Sequence, residues 1–559
     1  MKSLLKHENK IHYMCIFIVT IILCIPLFKS DFDIYKDDGI QHICRLMGTY
    51  ESVIEKQPFA VIMSNFCNGF GYSWNLFYSP FTAVVPLLFH FFTNSFVGCL
   101  KLFLVGMLFL SGLFMYQFVK QLTSDAKIGF IASLLYMTFP YHLTDLYMRN
   151  AVSEFTAFAF LPMVFLGLHQ ILNQKKEKNW YLVIGTVLLF LTHSITTFIA
   201  AIFCAFYVIA CYKQLKHRKV VLKLLISGAI ILLSTSFFWG PMLQQKQAIS
   251  YEVFREGMMG SPQMLQDNTI QLKQLLFTEK GDICFEIGVI TFLLLITAPF
   301  FYKNIKKDYR KEWLLFLIFG IISLLVTFSF FPWSHMPKIF GMIQFPWRFL
   351  EFAAFFLSIT GAIQIGTILK NVKYVEILLL ALILISLTML TMKNQISYAN
   401  NIDETKYYNG QPVLGNSQRV HAGLAKYEYL PTKANQDRDY IANRQDGIIV
   451  LQGSAEITNQ DKQGSKMSFV VQNSTNGTII ELPYIAYLGY EARTENGQIM
   501  KLKESSKGFL EMELPACTNT KIQIQYTGTY LMKVTTVLSW GTIVLYSLFV
   551  FLDYRKEIR

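Results

Sequence analysis

"MKSLLKHENKIHYMCIFIVTIILCIPLFKSD" (residues 1–31) opens with a basic flank and runs into an unbroken apolar core. The core is long enough to cross a hydrocarbon layer of ~30 Å as a helix. A secretory signal would share both features, but it would end in a small-residue cleavage site, which this stretch lacks. The stretch therefore predicts a retained first transmembrane helix with its basic end in the cytoplasm. Runs of the same kind recur along the 559 residues, which are 53% hydrophobic and 16% charged, with mean hydropathy +0.37. A soluble domain carries roughly 25% charged residues. The fold class that follows is a polytopic α-helical membrane protein.

The net charge of +13 could suggest a nucleic-acid partner. The basic residues gather instead in short loops between apolar runs, which is the positive-inside pattern. No nucleic-acid partner is expected. Nine cysteines are scattered without a C-x-x-C pair, which argues against a zinc site. Cys44 and Cys67 share one predicted outer loop and are read as a disulfide or, more simply, as two thiols.

Apolar runs place about twelve spans, near 12–29, 97–119, 127–145, 152–171, 180–193, 195–212, 221–241, 284–303, 312–332, 350–369, 374–392 and 533–552. With the N-terminus inside, "KQLTSDAK", "NQKKEK", "YKQLKHRK", "YKNIKKDYRK", "KNVK" and the tail "DYRKEIR" all fall on the cytoplasmic side. Splitting 180–212 around "THS" is what keeps that parity. The long segments 30–96, 242–283 and 393–532 then lie outside. The last is polar, and its runs "KMSFVVQ", "FLEMELP" and "KIQIQYTGTY" alternate with period two, the mark of antiparallel strands. The predicted organisation is a transmembrane domain 1–392 with a large first outer loop 30–96, an extracytoplasmic β-sandwich-like domain 393–532, and a final helix with a basic cytoplasmic tail, 533–559.

"DDGIQHICRL" (37–46) begins the first outer loop. Read as a helix over 38–56, it puts Ile40, Ile43, Leu46, Met47, Val53 and Ile54 on one stripe. Asp38, His42, Arg45 and Thr49 follow at steps of four, three and four on another face. Such a helix lies in the membrane interface. The apolar stretch Phe81–Phe92 is too short to span and reads as a second interfacial segment.

The segments "DDGIQHICRL", "GFGYSWNLFYSP", "YMRNAVSEF", "LTHSITTF", "IQFPWRFLEF" and "LPYIAYLGYEARTENGQ" resemble, in that order, two related groups of bacterial membrane proteins. These are the YfhO-like family and the pyruvoyl-tetrahydropterin-synthase-related membrane proteins. The arrangement of a first helix, an outer loop with early acidic residues and an "fYsPf"-type segment also resembles the C-type (GT-C) glycosyltransferases. No histidine cluster with ligand spacing is present to support pterin chemistry. The GT-C resemblance implies transfer of a sugar from a polyprenyl-phosphate carrier to a cell-envelope glycopolymer or glycolipid, at the outer face of a bacterial plasma membrane.

Such transfer needs a base for the acceptor hydroxyl and cationic or hydrogen-bonding groups for the departing phosphate. Carried over from the GT-C pattern, the base falls on Asp38, with Asp37 second and Asp31 and Asp33 weaker. Asp38 reads equally as an N-cap. His42 could orient Asp38 or meet the phosphate, or be an ordinary interface histidine. Arg45 could bind phosphate or reach for lipid headgroups. Arg149 could bind phosphate or pair with Glu154, near Asp145. His193 inside an apolar run is costly unless it faces a cavity or a partner. Arg348 and Glu351, beside Trp347, could grip a sugar phosphate or anchor the following span. Glu252, Arg255 and Glu256 lie in a further outer loop. No Gly-rich phosphate loop suggests a nucleotide cofactor, and a divalent cation at Asp37–Asp38 stays open. Two rivals remain: a transporter or flippase of lipid-linked saccharide, and a non-catalytic envelope-assembly protein.

Overall fold

The computed structural model describes residues 2–29, 32, 34, 37–57, 61–64, 66–173, 179–254, 260–278, 283–369, 383–388, 390, 393 and 428–558. Asp31, Asp33, Arg255, Glu256 and most of the expected span 374–392 lie outside the described residues. The chain divides into two compact units, each assembled from separate stretches. One comprises residues 1–40, 88–232 and 260–403, the other 41–87, 233–259 and 404–559.

The first unit is helical. Val152–Leu172 and Phe349–Ile368 are its central helices, buried along nearly their whole lengths. They are apolar all round, as a helix surrounded by other helices must be. Rings from several helices interleave between them: Phe165 lies 5.0 Å from Phe355, and Phe118 stacks on Phe355 at 5.9 Å. Phe96–Thr123 and Ala126–Met137 pack alongside and are joined by a two-residue turn. In that turn Ser124 takes a left-handed conformation. Asp125 then caps the next helix, its Oδ1 accepting from the backbone N–H of Lys127 and Ile128. Gly167 lets Trp180–Thr192 approach closely, since a Cβ there would stand 2.0 Å from the Leu182 nitrogen.

Outward faces stay apolar. Met14, Phe17 and Ile18 of the first helix are exposed, as are Leu293, Ile296 and Phe300 of Val289–Phe301. Among the described residues, five helices have the length and composition to cross a membrane: Asn9–Phe28, Phe96–Thr123, Val152–Leu172, Pro346–Ile368 and Tyr530–Asp553. The pair Arg218–Ser234 and Ser236–Ala248 passes that test only jointly, and further apolar helices are shorter. The expected span 127–145 is two helices, Ala126–Met137 and Pro140–Tyr147. Pro140 explains the break, because it lacks an N–H and pushes Phe139 into an extended conformation. The expected split at "THS" appears as Trp180–Thr192 and Ser194–Ala210, with His193 extended between them.

Among the described residues, the second unit holds the helix Gly39–Ile54 from Gln41 onward, the last helix Tyr530–Ile558 and nine strands. The strands are β1 Ile449–Gln452, β2 Ala455–Gln463, β3 Lys466–Ser474, β4 Thr478–Ile485, β5 Tyr490–Thr494, β6 Ile499–Met500, β7 Leu502–Glu504, β8 Phe509–Leu514 and β9 Cys517–Tyr526. They form antiparallel sheets in the orders β1-β4-β8-β7 and β2-β3-β9-β5-β6. Phe469 and Val471 of β3 and Ile522 and Ile524 of β9 share one core with Ile480 and Leu482 of β4 and Met512 of β8. The inward residues of both sheets therefore meet, as in a sandwich. The alternation in "KIQIQY" is explained: Ile522, Ile524 and Tyr526 are buried while Lys521, Gln523 and Gln525 are exposed.

Candidate functional site

The helical unit contains a buried cluster of charged groups built around a tight turn. After Pro140–Tyr147 the chain reverses through residues 148–151. The N–H groups of Met148 and Arg149 both donate to the Thr144 carbonyl, and that of Ala151 donates to the Asp145 carbonyl. Asn150 supplies the left-handed conformation that the reversal needs, at φ +46°. The turn carries Arg149 between two carboxylates. Its Nη1 lies 2.7 Å from Asp145 Oδ1 and 3.1 Å from Glu154 Oε2, and it donates to Tyr141 Oη at 3.1 Å. Tyr141 in turn donates to Glu154 Oε1 at 2.6 Å.

A second arginine reaches the same carboxylate from far along the chain. Arg348 Nε lies 3.4 Å from Glu154 Oε2, while its Nη1 donates to the Ile343 carbonyl and to Gln344 Oε1. Gln344 sits at φ +65°, which a non-glycine residue adopts at a cost of about 1–3 kcal/mol. Phe345 places its ring 5.3 Å from the Arg348 guanidinium and stacks on Trp347. Glu351 follows one turn later, accepting from Thr196 Oγ1 at 2.7 Å. Thr196 Oγ1 lies 2.8 Å from His193 Nδ1.

Donors and acceptors remain over. Asp145 Oδ2, Glu351 Oε1 and Trp347 Nε1 are buried with no partner among the described residues. Arg149 uses only Nη1, and Arg348 only Nε and Nη1. Nη2 of both arginines is thus unpaired among the described residues. Their side chains are 7% and 10% exposed, against 0% for Asp145 and 2% for Glu154. Two guanidinium groups that share one carboxylate and hold donors in reserve can take a further anion. The cluster lies at the first turns of Val152–Leu172 and Phe349–Ile368 and at the break between two helices. It is therefore at helix ends rather than mid-span.

Asp38 belongs to the same unit. Its backbone N–H donates to the Arg149 carbonyl at 3.1 Å, and its charge acts on Arg149. Burial alone would lower the Arg149 pKa, but Glu154, Tyr141, Asp145 and Asp38 together raise it. Asp38 is half-buried immediately before Gly39–Ile54, and Asp37 beside it is exposed with φ +48°. His42 and Arg45 lie in the second unit and are buried. His42 meets the Tyr78 ring edge-on. Arg45 donates to Asn75 Oδ1, Thr82 Oγ1 and the carbonyls of Tyr78 and Ser79, with Tyr78 under its guanidinium. Burial lowers its pKa to about 10. Its donors tie the helix Gly39–Ile54 to the segment 75–82, so the structure gives it a holding role. Cys44 and Cys67 are free, buried thiols.

The sequence reading named Arg149, His193 and Arg348 separately, and the fold brings them together through Glu154, Thr196 and Glu351. Tyr141 and Thr196 are not legible in the sequence, because a single tyrosine or threonine carries no signal of its own. Among the described residues, no three His, Cys, Asp or Glu side chains are arranged to hold a metal ion.

A family model described as a 6-pyruvoyl-tetrahydropterin synthase related domain of membrane proteins matches residues 76–396, more than half of the chain. The chain belongs to this family. The matched range contains every member of the arginine–carboxylate cluster from Tyr141 to Glu351, while Asp38 precedes it. The chain is also 25% identical to an uncharacterized protein of Lactococcus lactis subsp. cremoris, over 96% of its own length and 94% of the relative's. Membership makes this a membrane protein, in agreement with its apolar helices.

Proposed function

We propose that the chain is a multi-pass glycosyltransferase of the C type in a bacterial plasma membrane. It moves a sugar from a polyprenyl-phosphate carrier to a cell-envelope glycopolymer or glycolipid. The observation that carries this reading is the pair Arg149 and Arg348, converging on Glu154 with Nη2 donors unpaired among the described residues. That arrangement suits a phosphate whose charge grows as the sugar–oxygen bond breaks. Asp38 takes the proton of the acceptor hydroxyl as general base. Its backbone bond to Arg149 supports a common site for base and phosphate. The position of the charged groups at helix ends favours an enzyme over a carrier, which concentrates ionisable residues at mid-membrane.

The test is transfer by the purified chain from radiolabelled polyprenyl-phosphate sugars to envelope acceptors. Asp38→Asn is expected to lower kcat by about 100-fold or more, and Arg348→Ala to weaken donor binding. Full transfer by Asp38→Asn would move the base elsewhere. No transfer with any donor, while the same lipids cross the bilayer in a flipping assay, would replace the enzyme with a transporter.

A further inference from the structure

Lys101 is a cation inside an apolar helix. In Phe96–Thr123 the charged residues are Lys101 and Lys120 alone. Lys120 stands in the last turn, where it donates to Asn9 Oδ1. Lys101 lies five residues, or about 7.5 Å, inside the opposite end. It is half-buried, and no carboxylate among the described residues pairs with it. A cation within a transmembrane helix is costly unless it reaches a partner.

The surroundings say which partner fits. Helix side chains lean toward the helix N-terminus, so Lys101 reaches back toward Phe96. Its Nζ stands 5.8 Å from the centre of the Phe32 ring, just past the first helix. Phe32 is buried and meets Tyr147 edge-on at 5.6 Å, so the ammonium rests on a fixed ring. Rings of the first helix and of Phe96–Thr123 pair as Tyr13 with Tyr116 and Phe17 with Phe109, so the two helices run antiparallel. That pairing brings Lys101 level with the end of Asn9–Phe28, where Ile25 and Phe28 are exposed. Ile18 and Ile21 continue this apolar face along the same helix. Phe91 and Phe92, just ahead of Phe96, are exposed too, as rings at the depth of lipid headgroups are.

We propose that Lys101 binds the phosphodiester of an anionic phospholipid, whose chains lie along Ile18, Ile21, Ile25 and Phe28. The phosphate takes the side of the ammonium turned away from Phe32, and N–H groups of Nζ donate to its oxygens. One ammonium matches the single charge of a phosphodiester. A phosphomonoester, with about 1.5–2 charges, is better met by two guanidinium groups. A zwitterionic phospholipid brings a cation of its own, and Lys101 has no carboxylate beside it among the described residues to offset that cation. The site shares no residue with the arginine–carboxylate cluster and does not depend on the transfer reading.

The experiment is native mass spectrometry of the full chain released from detergent micelles. The chain is titrated with phosphatidylglycerol and with phosphatidylcholine of the same acyl chains. The first phosphatidylglycerol is expected to bind more tightly than the first phosphatidylcholine. Lys101→Gln should weaken it about 5-fold, and Lys101→Arg should keep it. Lys213→Gln, in an exposed loop, should leave it unchanged, which controls for general attraction to the net charge of +13. Unchanged binding in Lys101→Gln overturns the proposal, as does an equal loss for both lipids or an equal loss in Lys213→Gln. Should Lys101→Gln fail to fold, the wild type gives a second reading. Phosphatidylglycerol with a photoreactive headgroup should label peptides containing Ile25, Phe28 or Lys101 in liposomes, and absence of that label overturns the proposal. Polyprenyl phosphate that displaces the labelling lipid at equal concentration would place Lys101 on the path of that carrier instead, and overturns it as well.

Discussion

Glu154 shows what one side chain decides here. It receives Tyr141, Arg149 and Arg348 at a buried position, and no other acceptor among the described residues meets both arginines. Removing one partner of a buried ion pair strands the other charge away from water. Glu154→Ala is therefore expected to destabilise the protein by about 3–5 kcal/mol, seen as a lowered unfolding temperature in detergent. Arg45 behaves differently, because its partners are neutral oxygens. Arg45→Met leaves buried acceptors unpaired and should cost about 2–4 kcal/mol. It should leave binding of polyprenyl phosphate unchanged. A loss of that binding with the fold intact would instead make Arg45 a ligand. Nothing in the isolated sequence separates Arg45 from Arg149 and Arg348, since all three stand beside apolar residues in short polar stretches.

Helices and strands were legible to different degrees. The strands in "KMSFVVQ", "FLEMELP" and "KIQIQYTGTY" could be read because period-two burial writes itself directly into the sequence. That gives a sharp contrast within β3 and β9. Phe469→Ala, in the shared core, should cost about 3–5 kcal/mol, and Lys521→Ala, on the exposed face, less than about 0.5 kcal/mol, both by thermal unfolding. Apolar helices hide their neighbours. Gly167 is an unremarkable residue in a hydrophobic run, yet Leu182 sits where its side chain would be, whereas Gly106 faces open space. Gly167→Ala should lower folding yield and unfolding temperature, and Gly106→Ala should change neither. Equal behaviour would show that Val152–Leu172 and Trp180–Thr192 do not pack as described. The span expected at 127–145 is broken for a local reason: the apolar run ends at Met137, and Pro140 then ends the backbone ladder.

At the scale of the molecule, the asymmetry of loop charge predicts the topology. Reporter fusions at both ends of the chain and at 213–217 should be active on the cytoplasmic side, and a fusion within 455–526 on the outer side. A terminus found outside would break the parity on which the twelve expected spans rest. Among the described residues five helices satisfy the criterion for crossing by themselves and one bent pair does so jointly, while Trp180–Thr192 and Ser194–Ala210 are shorter apolar helices, so twelve spans remain an expectation from loop charge. Composition by itself determined that the chain lives in a membrane and that a β-sheet block stands near its C-terminus. Those properties are sums and periods over neighbouring residues. Only the tertiary structure decided which ionisable groups act together. Arg149 meets Arg348 on Glu154, and His193 meets Glu351 through Thr196, across sequence separations of about 150 to 200 residues. Charges in a low-dielectric interior must find partners wherever the packing of helices brings them, and that packing is set by close-fitting shapes that no local pattern records.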